Sequence, residues 1–199
     1  MKKISIISNS NLGTFFSYLK FFKNDKIKFS IISTKKNKQK IKNIEFNLLK
    51  NNDNDKFNDE AFKIIKKFKP NKIILFYTKK ISRKIYNNYR TYNIHNSLLP
   101  NYKGLDAIRK SFKDKNKFIC SSSHLVNEEF DSGKIINQIV TPVKYRNIQF
   151  FKNTSFYHRI ILLNSIIVSN SNRAFSIINN ETIISPGFKK KNLNYKFWK

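Results

Sequence analysis

The sequence predicts an α/β fold: a doubly wound, mostly parallel twisted sheet with helices on both faces. Two observations carry this. Short apolar runs alternate along the chain with segments whose apolar residues recur at helical spacing, the order that argues for parallel strands and crossover helices. The polar residues of greatest chemical interest also stand at the end of an apolar run, where such sheets collect ligands.

Each element follows from local pattern. Lys3 to Ser8 is a short apolar run that meets polar Asn9-Ser10-Asn11, so it reads as a first strand rather than a signal peptide. Leu12 to Phe22 carries Leu12, Phe15, Phe16, Leu19 and Phe22 at helical spacing. Ile27 to Ser33 is a second strand and Ile44 to Leu49 a weaker third. Asn51 to Asn58, rich in Asn and Asp, reads as a loop. Asp59 to Phe68 is helical and Pro70 stops it. Lys72 to Tyr77 is a strongly apolar strand, Ile81 to Tyr89 a short helix, and Thr91 to Ile94 another strand. Leu105 to Lys113 reads as a helix. Phe118 to Val126 and Lys134 to Val143 read as strands joined by a turn. Phe156 to Ile178 is expected to be one long apolar helix, followed by a last strand from Thr182 to Ser185. Residues 1–188 are expected to form one domain, with 189–199 as a basic, mobile tail.

Composition bounds the function classes. The 199 residues suffice for a real core, and 40% apolar with 15% aromatic content argues against disorder. No apolar run approaches the roughly 20 residues of a membrane span, so no membrane partner is expected. The lone Cys120 cannot form an internal disulfide, which fits a cytoplasmic protein. The net charge of +28 would suit a nucleic-acid partner. However, the basic residues are mostly lysine and spread along the chain, whereas arginine is the better reader of phosphates and bases. Lys, Asn, Ile and Phe abound while Gly and Pro number four each, a bias that suits AT-rich coding drift better than a basic binding face.

Two of the three histidines fall in one polar constellation. The run Asn93-Ile94-His95-Asn96-Ser97-Leu98-Leu99-Pro100 leads into Tyr102-Lys103-Gly104. His124 follows, then Glu128-Glu129-Phe130-Asp131-Ser132-Gly133. An amide, an imidazole and a carboxylate can polarise a carbonyl and move a proton. Taken singly, Asn93 is a turn residue at a strand end, His95 a hydrogen-bonded histidine and Asp131 a turn former. Their joint spacing points to chemistry. Gly104 and Gly133 are expected to hold turns the site needs, in a chain so poor in glycine. His95, His124 and Asp131 could imitate a metal site, and Cys120 reads as a core thiol.

These motifs resemble the formyltransferases that use 10-formyltetrahydrofolate, most closely those that formylate glycinamide ribonucleotide. The resemblance is strong from Asn93 to Gln138 and faint elsewhere. It implies a Rossmann-like fold, 10-formyltetrahydrofolate as formyl donor, a small-molecule amine as acceptor and no metal. It also implies that Asn93 and His95 hydrogen-bond the developing oxyanion, while Asp131 positions His95 and relays the proton. Tyr77, Thr78, Lys79, Ile81, His124, Glu128 and Glu129 would then contact the donor. Ser10, Asn11, Leu12 and Asn164 would contact the acceptor.

The sequence departs from that pattern in places. Asn9 stands where the resemblance implies a glycine in the first loop, Phe76 and Lys80 intrude in the folate-pocket loop, and Asn164 replaces a glutamate. Either the acceptor is unchanged and drift altered its site, or the acceptor is another amine, such as a nucleotide-linked amino sugar. The length favours the purine enzyme: methionyl-tRNA transformylases would add a C-terminal domain, and folate-hydrolysing relatives an N-terminal one. An RNA-binding module without catalysis is the alternative of another class, against which the intact Asn93, His95 and Asp131 argue.

Overall fold

The computed structural model describes residues 1–10, 12–22, 24–37, 41–50 and 53–168, and the backbone of 176–178 and 182–184. The elements run β1 (Lys2–Ser8), α1 (Gly13–Phe21), β2 (Ile27–Ser33), β3 (Ile44–Leu48), α2 (Asn54–Phe68), β4 (Lys72–Phe76), α3 (Arg83–Tyr86) and β5 (Thr91–His95). They continue with α4 (Ala107–Lys113), β6 (Phe118–Leu125), β7 (Ile135–Pro142), α5 (Ile148–Val168), β8 (Ser176–Ile178) and β9 (Thr182–Ile184).

One sheet joins all the described strands in the order β3-β2-β1-β4-β5-β6-β7-β9-β8. From β3 to β5 every pairing is parallel. Beyond β5 the strands are antiparallel to their neighbours. The doubly wound α/β sheet predicted from the sequence is therefore present, extended by an antiparallel edge. The chain order reverses between β1 and β4, which makes their carboxyl ends the crevice where such a sheet takes ligands.

The isoleucine-rich strands are buried on both faces, as parallel strands must be. Ile4, Ile6, Phe29, Ile31, Ile74 and Ile94 pack on one side with residues of α1 and α5, among them Phe15, Tyr18, Leu162 and Leu163. Ile7, Ile32, Ile73 and Leu75 pack on the other with Phe57, Ala61 and Ile65 of α2 and Ile85 of α3. Each fully buried isoleucine contributes roughly 1.5–3 kcal/mol of hydrophobic stabilisation.

Three elements differ from the sequence reading. The loop expected at Asn51 to Asn58 ends early, because Asp53 caps α2 by accepting the Asp55 and Lys56 amides at 2.9 and 3.2 Å. The helix thus begins at Asn54, and its first turns bury Phe57 and Asn58. Lys69 takes the left-handed conformation at the far end, just before Pro70. The expected helix at Ile81 to Tyr89 shrinks to one turn, capped by Ser82. The long helix begins at Ile148 rather than Phe156, because Asn147 accepts the Gln149 amide at 2.6 Å and Phe151 is fully buried. It ends at Val168, and residues 176–178 form a short strand instead. The tail expected at 189–199 lies outside the described residues.

Candidate active site

The site is built on β5. Side chains two apart on a strand share a face, so Asn93 and His95 emerge together at its carboxyl end. Across the antiparallel ladder Asn93 pairs with His124 of β6, which brings a third polar side chain to the same face. A register irregularity at Ser123/His124 marks this point of the β6–β7 ladder. The turn after β6 then returns Asp131, itself in the left-handed conformation with φ 52°.

Asp131 is the hub. Its Oδ1 accepts from Asn93 Nδ2 at 3.1 Å and lies 3.3 Å from His124 Nε2. Its Oδ2 accepts the Gly104 amide at 2.9 Å and lies 3.2 Å from His95 Nδ1. Burial pushes the carboxyl up. The bond from His124, the Gly104 amide and the charges of the two histidines outweigh that and hold it below the usual carboxylate range. His95 Nε2 donates to the Tyr102 carbonyl at 2.7 Å, and His124 Nδ1 to the Leu125 carbonyl at 2.8 Å. Both nitrogens of His95 therefore face oxygen atoms, the Asp131 carboxylate on one side and the Tyr102 carbonyl on the other.

Two glycines allow this geometry. Gly104 has φ +81° and delivers its amide to Asp131 from a loop in which Tyr102 and Asp106 are also left-handed. Gly133 lies so close to β6 that a Cβ there would stand 1.8 Å from the Leu125 carbonyl oxygen.

Two cavities meet at these groups. The larger, about 460 Å³, is lined by Ser10, Phe76, Tyr77, Thr78, Asn93, His95, Gly104, Leu105, Asp106, Phe130, Asp131 and Arg159. The narrower, about 40 Å³, is lined by Tyr77, Lys79, Lys80, Ile81, Asn93, His124, Glu128, Glu129, Phe130 and Asp131. An ion pair between Arg83 and Glu128 ties the two walls of the narrow cavity at the surface. Arg83 holds the Glu128 carboxyl below its ordinary value. Tyr77, common to both cavities, is fixed by stacking on Phe57 at 4.8 Å and by donating to Asn54 Oδ1 at 3.0 Å. A separate cavity of about 370 Å³ lies behind the Asn96–Tyr102 loop, against Ser111, Cys120 and Phe151, and does not touch Asn93 or Asp131. The Cys120 thiol there is pushed up to about 11 by burial.

The structure brings most of the residues singled out in the sequence to these cavities. Asn93, His95 and Asp131 meet directly, with His124 beside them. Tyr77, Lys79, Ile81, Glu128 and Glu129 line the narrow cavity, and Thr78 and Ser10 the larger one. Leu12 is instead a buried core residue, and Asn11 lies outside the described residues. Asn164 is buried in α5 and lines neither cavity. The α5 residue at the site is Arg159, which sequence reading missed; an arginine inside an apolar helix was the available signal. Asn9 has a definite role: its side chain donates to Thr78 Oγ1 at 2.7 Å and accepts the Thr78 amide at 3.3 Å, tying the end of β1 to the loop after β4. No helix among the described residues is long and apolar enough to cross a membrane.

Fold and site together define an α/β enzyme in which amide, imidazole and carboxylate groups cluster where two cavities join, at the carboxyl edge of the sheet. The formyl transferase family model matches residues 19–149, and the chain belongs to that family. Formyltetrahydrofolate deformylase 2, mitochondrial, of Arabidopsis thaliana is 42% identical over 64 residues, which are 32% of this chain and 20% of that protein. The chain thus matches about a fifth of the length of that relative. The phosphoribosylglycinamide formyltransferase of Campylobacter jejuni is similar in structure, with a TM-score of 0.69 and 22% identity over 81% of this chain and 93% of that one. A formyltetrahydrofolate deformylase of Pseudomonas syringae has a TM-score of 0.74 and 19% identity over 93% of this chain and 66% of that one. At these identities the two structures show a shared fold.

Proposed function

We propose that this chain transfers the formyl group of 10-formyltetrahydrofolate to a primary amine, with glycinamide ribonucleotide of purine biosynthesis as the acceptor and the cytoplasm as the place of reaction. One observation carries this: two cavities share Asn93 and Asp131, so a donor in the narrow one and an acceptor in the larger one would meet at the same polar groups.

The chemistry then assigns roles. The amine nitrogen attacks the formyl carbon and an oxyanion forms. As the bond to the folate nitrogen breaks, one proton leaves the amine and one is delivered to that nitrogen. Asn93 Nδ2 and His95 are the donors for the oxyanion, and one such donor contributes about 3–4 kcal/mol of transition-state stabilisation. His95 reaches it when Nε2 exchanges the Tyr102 carbonyl for substrate. Asp131 keeps the ring oriented and relays the proton. The narrow cavity is about 40 Å³, less than a folate ring fills, so this reading requires the 127–130 turn to move aside for the donor. Tyr77, Thr78, Lys79, Ile81, His124, Glu128 and Glu129 would contact that donor, and Ser10 the acceptor.

A second reading has water take the formyl group, and the 42% identity with the Arabidopsis deformylase favours it. The test supplies 10-formyltetrahydrofolate with glycinamide ribonucleotide, with a nucleotide-linked amino sugar, or with no amine. Formylated glycinamide ribonucleotide supports the proposal. Turnover with the sugar alone sinks the purine acceptor, and formate released without amine supports hydrolysis. No loss of the formyl group under any condition sinks both.

A further inference from the structure

Among the described residues Arg159 is the lysine or arginine that lines the larger cavity, and the catalytic roles leave it unused. It lies on α5 in a stretch otherwise buried among apolar residues. Its guanidinium stacks over the Phe156 ring, 5.6 Å from the centroid. Phe156 in turn stands 4.0 Å from where a Cβ on Gly13 would lie, so the pair is held beside the first turn of α1. From there Arg159 lines the larger cavity with Ser10, His95 and Asp106.

Arg159 is poorly compensated. Its Nε is buried without a hydrogen-bond partner. No carboxylate among the described residues forms an ion pair with it, Asp106 included. Burial disfavours its charged form. A half-buried guanidinium keeps its charge and is costly to leave unpaired; none of the described residues supplies the anion, so the site suits an anionic ligand. Its planar fork fits an anion that offers two oxygens. Among the described residues no other lysine or arginine lines this cavity.

Resting on the formyl-transfer reading, we propose that Arg159 is a specificity-determining residue: it binds a phosphate monoester or carboxylate carried by the formyl acceptor in the larger cavity. The acceptor then lies between Arg159 and Ser10 at one end and Asn93 and His95 at the other. Water needs no such anchor, so an anion site here belongs to amine transfer rather than hydrolysis.

The test uses the full chain and inorganic phosphate or acetate, each titrated against chloride at constant ionic strength and read by calorimetry. Phosphate or acetate should bind the wild type, and Arg159→Gln should weaken the tighter of them by at least about tenfold. Arg159→Lys should fall between. Equal affinity in wild type and Arg159→Gln overturns the proposal, as does a wild type that binds neither anion. If Arg159→Gln fails to fold, the melting temperature decides: wild type and Arg159→Lys must both rise with the anion and not with chloride. Kinetics separate the two carriers of such an anion. Arg159→Gln should raise KM for the acceptor at least about tenfold while KM for the donor stays within about twofold. A rise in the donor KM instead assigns Arg159 to the carboxylates of the folate tail and overturns the proposal. Absence of formyl transfer to any amine would sink the functional reading alone, because the anion titration still decides for Arg159.

Discussion

Nδ1 of His95 stands 3.2 Å from Oδ2 of Asp131, with both side chains more than nine-tenths buried. The aspartate fixes the ring from one side while the Tyr102 carbonyl holds it from the other. His95→Ala and Asp131→Ala should therefore each lower kcat by at least about a hundredfold with the fold retained. Circular dichroism and steady-state kinetics check both. Rates within a few-fold of wild type would remove these residues from the mechanism.

The same contacts make Asp131 an acid-sensitive element. Its folded pKa is below the ordinary 3.8, so near that pH the unfolded chain binds more protons. The stabilisation is complete above the unfolded value and is lost as pH falls through the folded one. Urea midpoints measured downward from pH 5 should fall more steeply for wild type than for Asp131→Asn. Parallel curves would show that Asp131 contributes nothing to acid stability.

Lys72 gives a signature of the same sign at alkaline pH. Its Nζ donates to the Ile166 carbonyl at 2.6 Å, and Lys2 donates to the Ile167 carbonyl, both in the last turn of α5. Burial, with the charges of Lys2 and Arg90 nearby, pushes Lys72 down to about 8 from an ordinary 10.5. Between those values the unfolded chain holds more protons, so stability attributable to Lys72 rises with pH. The difference in urea midpoint between wild type and Lys72→Met should change across this window. A constant difference would contradict the assignment.

Gly133→Ala tests the close approach beside the site. The added methyl would collide with the Leu125 carbonyl that His124 Nδ1 bonds. Such overpacking costs about 1–3 kcal/mol, and the displaced carbonyl should take His124 out of reach of Asp131. A lower melting temperature together with a lower kcat is the expected pair of results. An unchanged kcat would separate His124 from catalysis.

Legibility in the sequence followed locality. Strands such as Ile27–Ser33 were plain because an apolar run needs no distant partner to be recognised. The start of α2 was missed because Asn and Asp read as loop formers, whereas Asp53 uses its carboxylate as a cap and Phe57 finds its partner in Tyr77. The start of α5 was missed likewise, since Asn147 acts as a cap and Phe151 is buried. Asn164 was expected at the acceptor and is buried elsewhere, while Arg159 five residues earlier lines the cavity.

The sequence by itself determined the α/β alternation and set Asn93 and His95 on one face at a strand end, because both depend on periodicities of a few residues. It also marked Gly104 and Gly133 as turn positions through their rarity. Only the tertiary structure decided that Asp131 lies between two imidazoles, that Asn9 ties two loops together, and that Arg159 lines the same cavity as Ser10 without an ion-pair partner among the described residues. Those relations join residues far apart in the chain, and their energies come from burial and charge contacts that exist only once the sheet has closed over them.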